Sequence, residues 1–97
     1  MLRCTGDEDA STQPRRRGAL ARANRSADDV IVDLSELAFA DASLMVDLAM
    51  LARRLRMRGR DLRLRGAQPH IRRLIELVGL DHLPGVRVDD WSAPQPG

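Results

Sequence analysis

Few residues of this chain could do chemistry, and their spacing does not gather them. Cys4 is the single cysteine. It cannot close an internal disulfide, which fits a reducing compartment, and it stands too isolated to suggest a nucleophile or a metal site. His70 begins a helical stretch and His82 falls in a loop; both read as surface groups rather than as a base or a ligand. The chain has no paired Cys/His spacing for a metal and no Gly-rich phosphate loop. Its fourteen acidic residues are dispersed, so no carboxylate pair stands out. An enzyme, a metal site and a cofactor are therefore not expected. One polar stretch is different: Asp41-Ala42-Ser43-Leu44 stands where the apolar period of the chain changes.

Before Asp41, Val30, Ile31 and Val32 form a β-branched run that reads as a buried strand. Leu37 and Phe39 alternate with smaller residues through a predicted loop. After Asp41, Leu44, Leu48, Leu51, Ala52 and Leu55 recur with the spacing of one buried helix face. Asp41 suits the N-cap, because its carboxylate can accept the free N–H groups of the first turn. Ser43 in that turn is ordinary helix chemistry. Asp47 sits among the apolar positions of the helix and is expected to face solvent, with an interface role as the alternative.

The flanking elements follow the same logic. Residues 1–14 read either as the end of a strand and a turn or as an acidic, frayed terminus. A helix is expected over 13–24, with Pro14 in its first turn and a narrow stripe of Ala19, Leu20 and Ala23. Arg15, Arg16 and Arg17 oppose the dipole at its start. The central helix is expected over 42–58, with Gly59 as its left-handed stop. Asp61 to Arg65 alternates, Leu62 and Leu64 on one face and Arg63 and Arg65 on the other, as in a strand buried on one side. Gln68-Pro69 opens a helix over 69–78, with Ile71, Leu74, Ile75 and Val78 inward. Gly79 ends it, and Leu80 folds back. Leu83 to Val88 offers a last short strand, and residues 89–97, with two prolines and Trp91, read as a flexible tail.

Ninety-seven residues suit one domain. The basic residues are all arginine, yet the formal net charge is only +2. That balance argues against a nucleic-acid binder, which needs a large positive excess on one face. Arg53, Arg54, Arg56, Arg58 and Arg60 read as a solvated helix end, with RNA or an acidic partner as the alternative. No aromatic side chains interleave with them for base stacking. No apolar run reaches the roughly 20 residues that cross a membrane, and no signal-peptide core opens the chain. A cytoplasmic protein is expected.

The strand, the stretch ELAFADAS and the Arg-ended helix together resemble the STAS domain of bacterial anti-sigma factor antagonists. The resemblance runs from about Asp28 to Val88 and includes RGRDLRLRGAQPHIRRLIELVGLDHL. A weaker echo lies in Thr5-Gly6-Asp7-Glu8-Asp9. It implies an α/β fold: a small mixed sheet of three to five strands, with three to four helices packed mainly on one face. Residues 15–88 would be the domain, and the family's first strand would be missing before Met1. The resulting open edge invites pairing with another chain, so a homodimer is expected.

In the family the elbow reads Asp-Ser-(Ser/Thr)-Gly-Leu. The serine after the aspartate is phosphorylated by an anti-sigma factor serine kinase, which then lets go. Here Asp41 matches the aspartate, Ala42 stands at the acceptor position, Ser43 matches the second hydroxyl residue, and Leu44 replaces the glycine. These four residues form the expected partner-binding elbow. Ala42 cannot carry a phosphate, which leaves Ser43 as the candidate for phosphorylation. The implied function is that of an anti-sigma factor antagonist-like regulator in a partner-switching pathway. The alternatives are a small cytoplasmic STAS subunit beside the ATPase of a lipid-transport ABC system, and an Arg-rich nucleic-acid-binding module.

Overall fold

Strand and helix alternate through the described residues, 2–25 and 27–89, of a computed structural model. The strands are β1 (Leu2–Glu8), β2 (Val30–Ala40), β3 (Leu62–Arg65) and β4 (Val86–Asp89). The helices between them are α1 (Gln13–Asn24), α2 (Ala42–Arg56) and α3 (Pro69–Leu77). Single 3₁₀ turns precede α1, at Ala10–Thr12, and follow α3, at Leu80–His82.

The sheet has the order β1-β2-β3-β4, and every pairing is parallel rather than mixed. The cause is the connectivity, since each strand reaches its neighbour through a helix, and a helical crossover returns the chain in the same direction. Each crossover also steps the same way across the sheet. Right-handed crossovers then carry all three helices to one face. Accordingly Cys4, Val30, Val32, Leu34, Leu62 and Leu64 are buried in one core with Leu20 of α1, Leu48 of α2 and Ile71 of α3. The alternation expected at Leu62–Arg65 is present, with both leucines fully buried and Arg63 and Arg65 half-buried on the outer face.

That outer face is a charged surface. Arg3, Asp33, Arg65 and Asp89 stand in register across the four strands, so the signs alternate along the row. Arg3 lies 3.8 Å from Asp33, and Arg63 lies 3.4 Å from Asp89.

Three segments differ from the sequence expectations. Residues 2–8 form a full strand at the sheet edge. Residues 36–40, expected as a loop, continue β2, because β1 gives them a backbone ladder from Thr5↔Glu36 to Glu8↔Ala40. Asp47, expected to face solvent, is buried. The helix boundaries fall within two residues of those expected. Gly59 and Gly79 end α2 and α3 with φ of 73° and 76°, a conformation that glycine adopts without strain. Leu80 is buried, as expected of a residue that folds back. Asp89, expected to open a flexible tail over 89–97, instead ends β4, and the rest of that tail, residues 90–97 with Trp91, lies outside the described residues.

Candidate functional site

At the C-terminal end of β2 the chain turns sharply into α2. Asp41 adopts an extended conformation and caps the helix. Its Oδ1 accepts the Ser43 backbone N–H at 2.9 Å and the Ser43 hydroxyl at 2.6 Å. The Ser43 hydroxyl bond, aided by the backbone N–H, holds the Asp41 carboxyl below the usual carboxylate range. Ala42 is exposed at the tip of the elbow, Ser43 is half-buried beneath it, and Leu44 is fully buried in the core. The four expected elbow residues are thus contiguous, but they do not form one surface. Leu44 faces inward and has no access to a partner.

Behind the elbow lies a residue that the sequence reading missed. Arg16 of α1 is buried, and each guanidinium nitrogen has a partner. Nε donates to Asp47 of α2 at 2.9 Å, Nη1 to Glu8 of β1 at 2.8 Å, and Nη2 to the Ser43 hydroxyl at 3.1 Å. Gln13 adds amide contacts to both Asp47 oxygens at 3.3 Å. Burial pulls the Arg16 pKa down, but the bonds to Glu8 and Asp47 outweigh it and raise the value above its ordinary level. One side chain therefore ties the edge strand, the first helix and the elbow together.

A signal for it was available. Arg16 lies four residues before Leu20 and seven before Ala23, so it extends the inward stripe of α1 by one turn. Asp47 lies three residues after Leu44 and four before Leu51, so it interrupts the inward stripe of α2. Two opposite charges on buried stripes can only be accommodated as a pair.

Beside the elbow, the solvent side of α2 is apolar. Ala42, Val46 and Ala49 face Val78 and Leu83 across a hollow of about 260 Å³. It continues into a groove of about 490 Å³, where Met50, Arg53, Arg56 and Pro84 join the wall. Val46 is 55% exposed and Val78, expected inside, is 48% exposed. Apolar side chains exposed together in this way make a candidate interaction surface.

The remaining reactive residues do not join this site. Burial, with the nearby Glu8 carboxylate, pushes the Cys4 thiol up to about 11, so it is not a thiolate near neutral pH. His70 and the Ala38 carbonyl lie 2.6 Å apart at the surface, and His82 is exposed. No group of three or more metal-ligating side chains occurs among the described residues. No described helix is long and apolar enough to cross a membrane.

Comparisons with known proteins address the fold. A family model described as "Mlab, STAS domain" matches residues 1–86. The STAS domain of a SulP transporter from Vibrio cholerae superposes with a TM-score of 0.65 at 14% identity. The match covers 93% of this chain and 74% of that one. No curated protein sequence matches the chain.

Proposed function

The chain belongs to the STAS domain family, and from that premise we propose that it is a cytoplasmic protein-binding regulator that stays in its binding state. The observation that carries this reading is Ala42, exposed at the tip of the elbow and bordered by the apolar hollow of α2. In the resembled family a hydroxyl at this position receives the phosphate that ends binding. A methyl group cannot receive one. The neighbouring Ser43 hydroxyl donates to Asp41 and accepts from Arg16, so it is engaged inward rather than presented. A phosphate there would bring about −1.5 to −2 charges beside Asp41, Asp47 and Glu8.

The partner in this reading is an anti-sigma factor serine kinase of a partner-switching pathway, docked over Ala42, Val46 and Ala49. A second reading is supported by the description of the matching family model. In it the partner is the ATPase of a lipid-transport ABC system, and the chain never needs to be released. Neither reading calls for catalysis, a cofactor or nucleic acid. Strand β1 is an edge strand, and self-pairing through it is the homodimer consistent with either.

Co-expression with an anti-sigma factor serine kinase and, separately, with the ATPase of a lipid-transport ABC system separates the readings. Stable capture of one of them, lost in Val46→Glu, is expected. Kinase and ATP should leave the wild type unmodified and bound, whereas Ala42→Ser should be phosphorylated and released. Phosphate on Ser43 with loss of binding, mimicked by Ser43→Asp, would overturn the constitutive state. Capture of the transport ATPase alone would establish the second reading.

A further inference from the structure

The charge of this molecule is unevenly placed. Residues 13–25 and 42–60 hold ten of the sixteen arginines and one of the fourteen acidic residues. These segments are α1, α2 and the turns that end them, and the two helices pack side by side. The one acid, Asp47, is committed to Arg16 at 2.9 Å, with Arg17 at 3.8 Å. Among the described residues Arg53, Arg54, Arg56 and Arg58 pair with no carboxylate. Arg58 donates only to the carbonyl of Asn24, at 3.1 Å.

Composition alone does not explain this. The outer sheet face also carries arginines, yet Arg3, Arg63 and Arg87 each have an aspartate within 3.8 Å. The cluster of unpaired arginines belongs to the helical layer, where neighbouring like charges repel and offset part of the favourable interaction with the α2 dipole.

The unpaired arginines border a groove. Between α1 and α2 a cleft of about 350 Å³ is lined by Leu20, Ala21, Met50 and Leu51, by Arg17 and Arg54, and by the buried Asp47, whose charge Arg16 already holds. Through Arg54 it adjoins a hollow of about 270 Å³ bounded by Met57 and Arg58. Met50 and Met57 are 47% and 79% exposed. We propose that this groove docks an acidic, partly apolar segment of a partner protein, on the α1 side of α2, meeting the apolar groove beside the elbow at Met50. Its apolar side chains would pack on Met50 and Met57, and its carboxylates would take Arg54 and Arg58. The planar guanidinium donates two parallel hydrogen bonds to a carboxylate, and methionine adapts its shape to an incoming apolar group. The chemistry disfavours single-stranded nucleic acid, because no aromatic lines the groove to stack on bases. A flat bilayer is disfavoured because Leu20 and Leu51 lie at the floor of a concavity, 7% and 3% exposed.

The test is a titration of the ¹⁵N-labelled full chain with a glutamate-rich peptide carrying leucine at every fourth position, followed by amide shifts. Shifts are expected at Leu20, Ala21, Met50 and Met57, with affinity falling as salt rises. The double substitution Arg54→Glu, Arg58→Glu should weaken binding by roughly tenfold or more. Arg65→Glu, on the outer sheet face, should leave it within about twofold. Both arginines in the first variant are exposed, and Arg54→Ala with Arg58→Ala repeats the test without added charge. Three results would each overturn the proposal: unchanged affinity in both double variants, shifts confined to other surfaces, or tighter binding of single-stranded DNA or phosphatidylglycerol vesicles than of the peptide.

Discussion

The tripeptide Asp-Ala-Ser occurs twice, as Asp9-Ala10-Ser11 after β1 and as Asp41-Ala42-Ser43 after β2. The two copies are neighbours, because β1 and β2 are paired and the Asp41 N–H donates to the Glu8 carbonyl at 3.2 Å. Their internal geometry is the same. In each, aspartate Oδ1 accepts the serine N–H at 2.9 Å and the serine hydroxyl at 2.6 Å. Their surroundings differ. Ser11 is exposed, whereas Ser43 also accepts a bond from buried Arg16. The tripeptide thus dictates the turn, and the tertiary structure decides whether its serine is free. A third Asp-X-Ser, Asp33-Leu34-Ser35, repeats the local bonds inside β2, where no helix begins.

The strongest way to break this comparison is to remove what distinguishes the copies. Arg16→Ala strips Asp47 and Glu8 of their shared cation while Asp47 stays buried. Losing one partner of a buried pair costs about 3–5 kcal/mol, and urea unfolding should show it. The double variant Arg16→Leu, Asp47→Leu should recover much of the loss, because the buried Asp47 charge goes with its cation, and Glu8, which is partly exposed, keeps the Thr12 hydroxyl. A cost under about 1 kcal/mol for Arg16→Ala would mean that the network behaves as a surface pair.

A purely apolar comparison comes next. Leu48, one turn beyond the elbow and fully buried, should cost about 2–5 kcal/mol as Leu48→Ala. If Arg16→Ala costs as much, a polar link holds α1 to the rest as firmly as core packing holds α2.

These positions also show how far the fold could be read from the chain. Leu44, Leu48 and Leu55 repeat at helical spacing, and Leu62 and Leu64 alternate, so α2 and β3 were legible within their own segments. The cap at Asp41 was legible for the same reason, since its partner is two residues away. For Arg16 the inward stripe of α1 signalled burial, but not its role, which depends on partners 8, 27 and 31 positions distant. Residues 36–40 were misread for a related cause: nothing within them shows that β1 lies alongside. The apolar hollow beside Ala42 depends on Val78 and Leu83, which only the folded chain brings across from α2.

A smaller effect separates the serines directly. Ser43→Ala removes the acceptor of an Arg16 N–H and a donor to Asp41, and should cost about 1.5–3 kcal/mol, the range for hydrogen bonds to charged groups. Because Arg16 keeps Glu8 and Asp47, the variant should still fold. A cost no greater than that of Ser11→Ala would mean that the Arg16 contact adds nothing.

The smallest expected effect is that of Ser11→Ala, within about 0.5 kcal/mol near neutral pH, since the exposed hydroxyl loses only a contact that water can replace. Acid should amplify it. In the wild type the hydroxyls of Ser11 and Ser43 lead the interactions that hold the Asp9 and Asp41 carboxyls below their ordinary value. A carboxyl lowered by folding stabilises above the unfolded value and loses that contribution as pH falls through the folded one. Wild-type stability should therefore hold flat above the carboxylate range and fall below it. Ser11→Ala brings the folded Asp9 value back toward the unfolded one, so its acid loss should be shallower than that of the wild type, and Ser43→Ala should do the same through Asp41. Unfolding curves of the three proteins taken across that range would test this. If the acid slope of Ser11→Ala matches the wild type while that of Ser43→Ala is reduced, the shared geometry of the two turns does not carry a shared electrostatic role, and Arg16 rather than the tripeptide sets the protonation of the elbow.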